Sequence, residues 1–233
     1  MIVKCLNHRD SSIRRRALDV ISALVDQNNA ETLIPEVIEY IKYADSDFRI
    51  ELVAKVFTAI QRFAPTPRWN FDIIHQLLIE NGNYVSADLI TTFSKILIHC
   101  PSMQQYAVTR LSVSMMNHNE NQPLVQVASW TIGEFAQEEL DHFDNLKRLL
   151  SLPHSTSQTQ GYIIVALSKL SVRFNHKEEI IEFLRQNYIN DISLDIQQRV
   201  NEMISLLSNN NICNQVLSPV ESKAEGEKAV IVT

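Results

Sequence analysis

The sequence predicts an all-α fold, an α-solenoid of armadillo- or HEAT-like helix pairs forming a right-handed superhelix, with a disordered C-terminal tail. Three observations predict it. Apolar residues recur with a helical period along almost the whole chain. Turn signals cut that pattern into about a dozen segments, so that a helix pair returns about every 35–40 residues. Glycine is scarce, with 4 in 233 residues. Rossmann folds, phosphate loops and hairpin-rich β folds all spend glycines on turns, so the scarcity argues against them.

The elements follow in order. Ile13, Ala17, Leu18, Ile21, Leu24 and Val25 make the first stripe, with Asp10 and Ser11 as caps. Leu33, Ile34, Val37, Ile38 and Ile41 make the second. Phe48, Leu52, Val53, Val56, Phe57, Ile60 and Phe63 follow Asp45-Ser46-Asp47, and Pro65 and Pro67 stop that helix because proline lacks the N–H. Phe71, Ile74, Leu77 and Leu78 precede a turn at "NGNY", 81–84. Val85, Leu89, Phe93, Ile96 and Leu97 run up to Pro101, and Tyr106, Val108, Leu111 and Met115 lead to a polar loop at 117–122. A helix starts at Pro123, a favoured first-turn residue. Phe143, Leu146, Leu149 and Leu150 precede a loop at 153–160. Three stripes follow: Tyr162, Val165, Ala166, Leu167 and Leu170; Ile180, Ile181, Leu184 and Tyr188; and Ile196, Val200, Met203, Ile204 and Leu207. Residues 1–207 thus read as the repeat region. Residues 208–233 read as one short helix through Ile212, Val216 and Leu217, then a disordered tail or the start of a hinge beyond Pro219, where little can offset the entropy of ordering.

Composition limits the function classes. The net charge of −6 speaks against nucleic acid, whose phosphates call for a basic face. An anionic membrane surface stays compatible through a local basic patch. Cys5, Cys100 and Cys213 form no CxxC pair and suit a reduced, cytoplasmic protein. "MIVKCLNHRD" lacks the apolar core of a signal peptide, and no apolar run reaches the roughly 18 residues of a membrane span. His8, His75, His99, His118, His142, His154 and His176 are scattered without ligand spacing, and the adjacent His99 and Cys100 point about 100° apart on a helix. No G-x-S-x-G occurs. The chain is read as a non-enzyme with no catalytic residue, cofactor, metal or small-molecule substrate.

Three features stand out. Arg14, Arg15 and Arg16 fan around a helix start. They read as a solvated face with a salt bridge, or as a contact to a partner subunit or anionic surface. Trp69 and Trp130 read as packing residues, with a partner groove as the alternative. Gly133 lies inside the helical stretch "QPLVQVASWTIGEF", where glycine costs about 1 kcal/mol relative to alanine. In a stacked array it lets a neighbouring helix approach closely, with Trp130 filling the adjoining space.

That stretch, at 122–135, resembles the adaptin family of large clathrin-adaptor chains in its gamma-type branch. So, in the family's order, do "DSSIRRRALDVISALVDQNNA" (10–30), "FAPTPRWNFDII" (63–74), "GNYVSADLI" (82–90), "GYIIVALSKLSVRF" (161–174) and "DIQQRV" (195–200). Ala128-Ser129-Trp130 and Arg68-Trp69 favour the gamma type over the alpha type of the plasma-membrane endocytic adaptor. "QQRVNEM" at 197–203 departs from the family's "QQRAxEY", and the loop between "GEF" and "GY" is shorter than usual.

The resemblance covers roughly residues 2–207 and implies the C-terminal part of an adaptin trunk. It implies a scaffold in vesicle-mediated protein transport between the trans-Golgi network and endosomes, peripheral on the cytosolic face of those membranes and of clathrin-coated vesicles. Its implied partners are a beta-type large chain and medium and small chains, and indirectly clathrin and the Golgi or endosomal membrane. A generic armadillo or HEAT peptide-binding module is the other alternative. "IVKCLNHRD" reads as the end of a helix whose partners lie upstream, so the isolated chain is expected to self-associate or expose apolar surface at its N-terminal face.

If the arginines contact a partner, reversing the charge of Arg14, Arg15 and Arg16 together lowers either subunit co-precipitation or anionic-liposome binding. Unchanged binding in both assays removes the contact role.

Overall fold

Local side-chain acceptors set where several helices begin, because the first N–H groups of a helix have no partner inside it. The computed structural model describes residues 3–41, 43–85 and 87–218. After a 3-10 turn at Val3–Asn7, α1 (Ser11–Leu24) is capped by the Asp10 carboxylate, which accepts from the Ser12 N–H. Asp26 and Asn29 close the next turn. Asp26 accepts from the N–H groups of Asn28 and Asn29, while the Asn29 amide donates to the Leu24 carbonyl at the end of α1. α2 (Ala30–Ile41) follows, with Pro35 inside it. α3 (Ser46–Phe63) is capped by Asp45, and α4 (Pro67–Asn81) by Thr66 with proline in the first turn. The expected turn at 81–84 is a 3-10 turn, Gly82–Tyr84. Then come α5 (Ala87–His99), α6 (Pro101–Asn117), α7 (Gln122–Phe135), α8 (His142–Leu150), α9 (Ser157–Arg173), α10 (Lys177–Tyr188), α11 (Leu194–Ser208) and α12 (Asn210–Val216). Among the described residues every regular element is helical.

The repeat shows in the spacing of the polar contacts. Arg14 pairs with Asp45, Arg15 with Glu51 at 3.4 Å, and Lys55 with Asp19. Lys169 pairs with Glu134, Lys147 with Glu179, and Lys177 donates to Asn210 at 3.1 Å. These pairs are separated by 31 to 36 residues. Such a separation is one helix pair, so each helix meets the helix two places along the chain. That is the short-range connectivity of a stacked repeat array.

The described residues form two compact units. One comprises Met1–Phe93 with Val113–Val127, the other Ser94–Ser112 with Ala128–Thr233. In the first, Phe71 packs on Phe93 at 5.4 Å between ring centroids and stacks on His75 at 5.7 Å. The buried His75 ring shares a 2.9 Å hydrogen bond with Ser114. Asn121 joins two helix ends. Its amide donates to the carbonyls of Leu78 (2.7 Å) and Ile79 (3.3 Å) in the last turn of α4, and its oxygen accepts from the Leu124 N–H in α7 at 3.2 Å. A Cβ at Gly82 would lie 2.0 Å from that oxygen, so only glycine fits there.

In the second unit, α9 ends in a Schellman arrangement. Asn175 takes the left-handed φ of 62°, and the His176 N–H returns to the Ser171 carbonyl at 2.9 Å. This aims the His176 ring at Glu139 (2.9 Å) and Glu179 (3.2 Å), with Phe143 packed edge-on at 5.1 Å.

The structure moves several expected details. α7 begins at Gln122, one residue before Pro123, because Asn121 supplies the cap. The loop expected at 153–160 ends early, since Thr156 accepts from the Thr159 N–H and starts α9 at Ser157. Ile13 and Leu24 of the first stripe are exposed. In α12 the buried residue is Cys213, followed by Leu217, while Ile212 and Val216 face outward. The side chain of Leu89 and the segment from residue 219, with the expected tail, lie outside the described residues.

Burial pushes the His142 imidazole at the start of α8 below its ordinary pKa, against a smaller upward pull from Asp141. The unfolded chain, with a histidine pKa of about 6.5, therefore binds the proton first as pH falls. The contribution of neutral His142 is full above about pH 6.5 and is lost below it. Denaturant titrations at about pH 7.5 and about pH 5.5 should show wild-type stability falling by more than that of His142→Leu. Equal slopes would show that His142 is not buried as the neutral base.

Candidate interaction groove

α9, α11 and the part of α7 from Ala128 onward, all in the second unit, line a surface groove. α7 and α9 touch where Gly133 meets Ala166. A Cβ at Gly133 would lie 2.9 Å from the Ala166 Cα and 3.1 Å from its Cβ. Backbone lies against backbone there, so no side chain fits without displacing a helix.

The ionic groups around this contact are fixed by its closeness. Lys169 pairs with Glu134, the two side chains being 13% and 3% exposed. Four residues further along α9, Arg173 donates to the carbonyls of Gly133 (3.0 Å), Glu134 (2.9 Å) and Ala136 (2.7 Å). The last carbonyls of α7 have no acceptor role inside their own helix, and Arg173 satisfies them. Burial lowers the Arg173 pKa, with the Glu134 charge pulling it back up.

Beside this contact lies a groove of about 610 Å³, floored by α7, α9 and α11. Trp130, Tyr162, Val165 and Ala166 give it an apolar wall. Trp130 is half-buried and meets Phe135 edge-on at 5.5 Å. Tyr162 and Val165 are half-buried as well, because the core stripe of α9 runs through Ile163, Ile164, Leu167 and Leu170 instead. Ser157, Gln158, Asp195, Gln198, Arg199 and Glu202 make the polar rim. Among the described residues no group of three or more His, Cys, Asp or Glu is placed to hold a metal. No described helix is long and apolar enough to cross a membrane. The His99 ring bonds to the Lys95 carbonyl of its own helix at 2.7 Å. What the groove offers is area, shape and charge for contact.

The residues singled out from sequence fall as follows. Trp130 and Gly133 line this groove together. Trp69 sits half-buried in the first turn of α4 in the other unit, its N–H given to Thr66 at 3.2 Å. Arg14 is held by Asp45, by the His8 carbonyl at 3.2 Å and over the Phe48 ring at 5.4 Å. Arg15 lies 3.4 Å from Glu51. Arg16 is exposed and has no ion pair or hydrogen bond among the described residues. Sequence reasoning missed Gly161, Lys169, Asp195, Arg199 and Glu202. The signal available for Lys169 was its one-repeat offset from Glu134; Gly161 was one of only 4 glycines.

The family described as "Adaptin N terminal region" matches residues 1–211. The chain is similar to AP-1 complex subunit gamma-1 of Mycosarcoma maydis, 29% identical over 93% of this chain and 27% of that protein. It is similar to AP-1 complex subunit gamma-like 2 of Mus musculus, 31% identical over 88% of this chain and 28% of that protein. AP-2 complex subunit alpha-2 of Dictyostelium discoideum is 28% identical over 94% of this chain and 23% of that protein. The chain spans about a quarter of the length of the curated relatives it matches.

The helical glycines of this unit have opposite surroundings, which stability measurements can read. Gly133→Ala should destabilise despite a gain in helix propensity of about 1 kcal/mol, because its Cβ meets backbone. Gly161→Ala should stabilise by up to about 1 kcal/mol, because nothing lies within 4 Å of its added Cβ. Denaturant unfolding of the two variants should move in opposite directions; a shift in the same direction removes the packing role of Gly133.

Proposed function

The chain belongs to the family of adaptin N-terminal regions, and on that premise we propose that it serves as a non-enzymatic scaffold subunit of a clathrin-associated adaptor complex. The observation that carries the proposal is the family match across residues 1–211, the same stretch that folds as stacked helix pairs. Mechanism here is presentation. Helices locked two by two hold side chains at fixed places for other subunits, with no bond made or broken. In this reading residues 1–207 are the repeat scaffold, and the short helix α12 follows it.

The gamma-type reading is supported by the similarity to AP-1 gamma subunits, at 29% and 31% identity. It places the protein on the cytosolic face of trans-Golgi and endosomal membranes, in protein transport between them. Its partners are then a beta-type large chain, medium and small chains and, through the assembly, clathrin. The AP-2 alpha-2 similarity, at 28%, favours a second reading in which the chain serves an endocytic adaptor at the plasma membrane. Arg14, Arg15 and Arg16 form the proposed surface contact, with Arg16 the one that has no ion pair among the described residues, while Trp69, Trp130 and Gly133 serve packing and Trp130 also walls the groove.

Affinity purification of the tagged chain from its own cells tests both readings. Recovery of a beta-type large chain with AP-1 medium and small chains, and a trans-Golgi or endosomal position by microscopy, is the expected result. AP-2 chains and a plasma-membrane position would favour the second reading. Absence of all adaptor chains would overturn the proposal.

A further inference from the structure

Gly161 has no use inside this chain. It lies in the second turn of α9, where glycine weakens a helix, yet a Cβ there would meet nothing within 4 Å. Gly82 and Gly133 are each required by a close neighbour. Gly161 instead leaves the α9 backbone bare in the groove, next to the half-buried Tyr162 and across from Trp130. It therefore permits, from outside, the backbone approach that Ala166 makes to Gly133 from inside.

The charges of the groove are one carboxylate in excess. Glu134 is taken by Lys169, and Glu202 lies 3.7 Å from Arg199. Asp195 has no ion pair or hydrogen bond among the described residues. Both groove cations thus already face a carboxylate, and Asp195, an exposed acid in the first turn of α11, is the groove carboxylate left open to a cation from outside. The walls are helices, whose backbone groups are bonded internally. An extended peptide would find no main-chain partners on these walls and would depend on the few rim side chains, whereas a helix brings its backbone already satisfied. The groove lines α9 from Ser157 to Lys169, about 18 Å at 1.5 Å per residue, enough for three helical turns.

We propose that the groove between α7, α9 and α11 docks an amphipathic helix of a partner protein. Its ridge of small and aliphatic residues lies across Gly161 and against Trp130, Tyr162 and Val165, and a lysine or arginine on its flank reaches Asp195. This rests on the groove alone and stands apart from which adaptor the chain serves.

The test uses the full chain with Trp69→Phe, which leaves Trp130 as the sole tryptophan. The probes are two synthetic helices of about 16 residues with the same alanine/leucine ridge, one flanked by lysines and its twin by glutamates. The lysine helix should shift Trp130 emission saturably and bind roughly tenfold or more tightly than its twin. Gly161→Leu covers the bare backbone, and its Cβ meets nothing within 4 Å, so its unfolding midpoint should hold or rise while lysine-helix binding weakens roughly tenfold. Asp195→Lys should reverse the preference between the twins. No binding of either helix, equal binding of both, or binding unchanged by Gly161→Leu would overturn the proposal. So would light scattering that shows a dimer broken by Gly161→Leu, since a second copy would then hold the groove.

Discussion

An amphipathic helix of this chain cannot bury its apolar face by itself, and everything else in the structure follows from how that face is covered. The cover comes from the next helix and from the helix two places along. In the second unit the contact is tightest at Gly133, where α7 meets the backbone of α9 at Ala166. That approach brings Lys169 onto a nearly buried Glu134 and puts Arg173 on three carbonyls at the end of α7. A buried carboxylate without its partner would be costly, so the ion pair depends on the spacing that the glycine allows. One missing side chain thus sets the separation, and the charges are arranged around it.

The same logic governs the joints between helices. Helix ends leave carbonyls and N–H groups unpaired, and a stacked array buries many of them. Here they are satisfied from other repeats as well as locally. Asn121 serves the last carbonyls of α4 and the first turn of α7 together, and Gly82 leaves room for it. Arg173 does the equivalent for α7 from one repeat further on. Such cross-repeat capping ties the order of the helices to specific residues, so the stack has a register as well as an apolar face.

A scaffold needs surface that its own packing leaves unused. The α7–α9–α11 groove has that character because the buried stripe of α9 turns Tyr162 and Val165 toward the opening. Half-buried aromatic groups beside bare backbone make an area that another helix can cover. The arginines at 14–16 divide differently. Arg14 and Arg15 are engaged by carboxylates of α3 or its cap, although Arg15 stays exposed, while Arg16 is exposed with no ion pair among the described residues.

The sequence by itself determined the helices and the family. A 3.6-residue period marks an apolar face whatever lies opposite, and Asp10, Asp45, Pro65 and Pro67 act on the backbone within a few residues. Even the value of Gly133 as a close-approach residue could be argued from its cost in a helix. Tertiary structure alone decided which part of each stripe is core. Ile13, Leu24, Tyr162 and Val165 keep the helical period yet lie partly or wholly outside, since the period fixes a stripe's direction but not how much of it the next helix covers. It also decided that Gly161 stands open where Gly133 is filled, and that Asp195 has no ion pair among the described residues while Glu134 is neutralised. Those differences arise between residues about one repeat apart, at a distance in the chain over which local propensity carries no information.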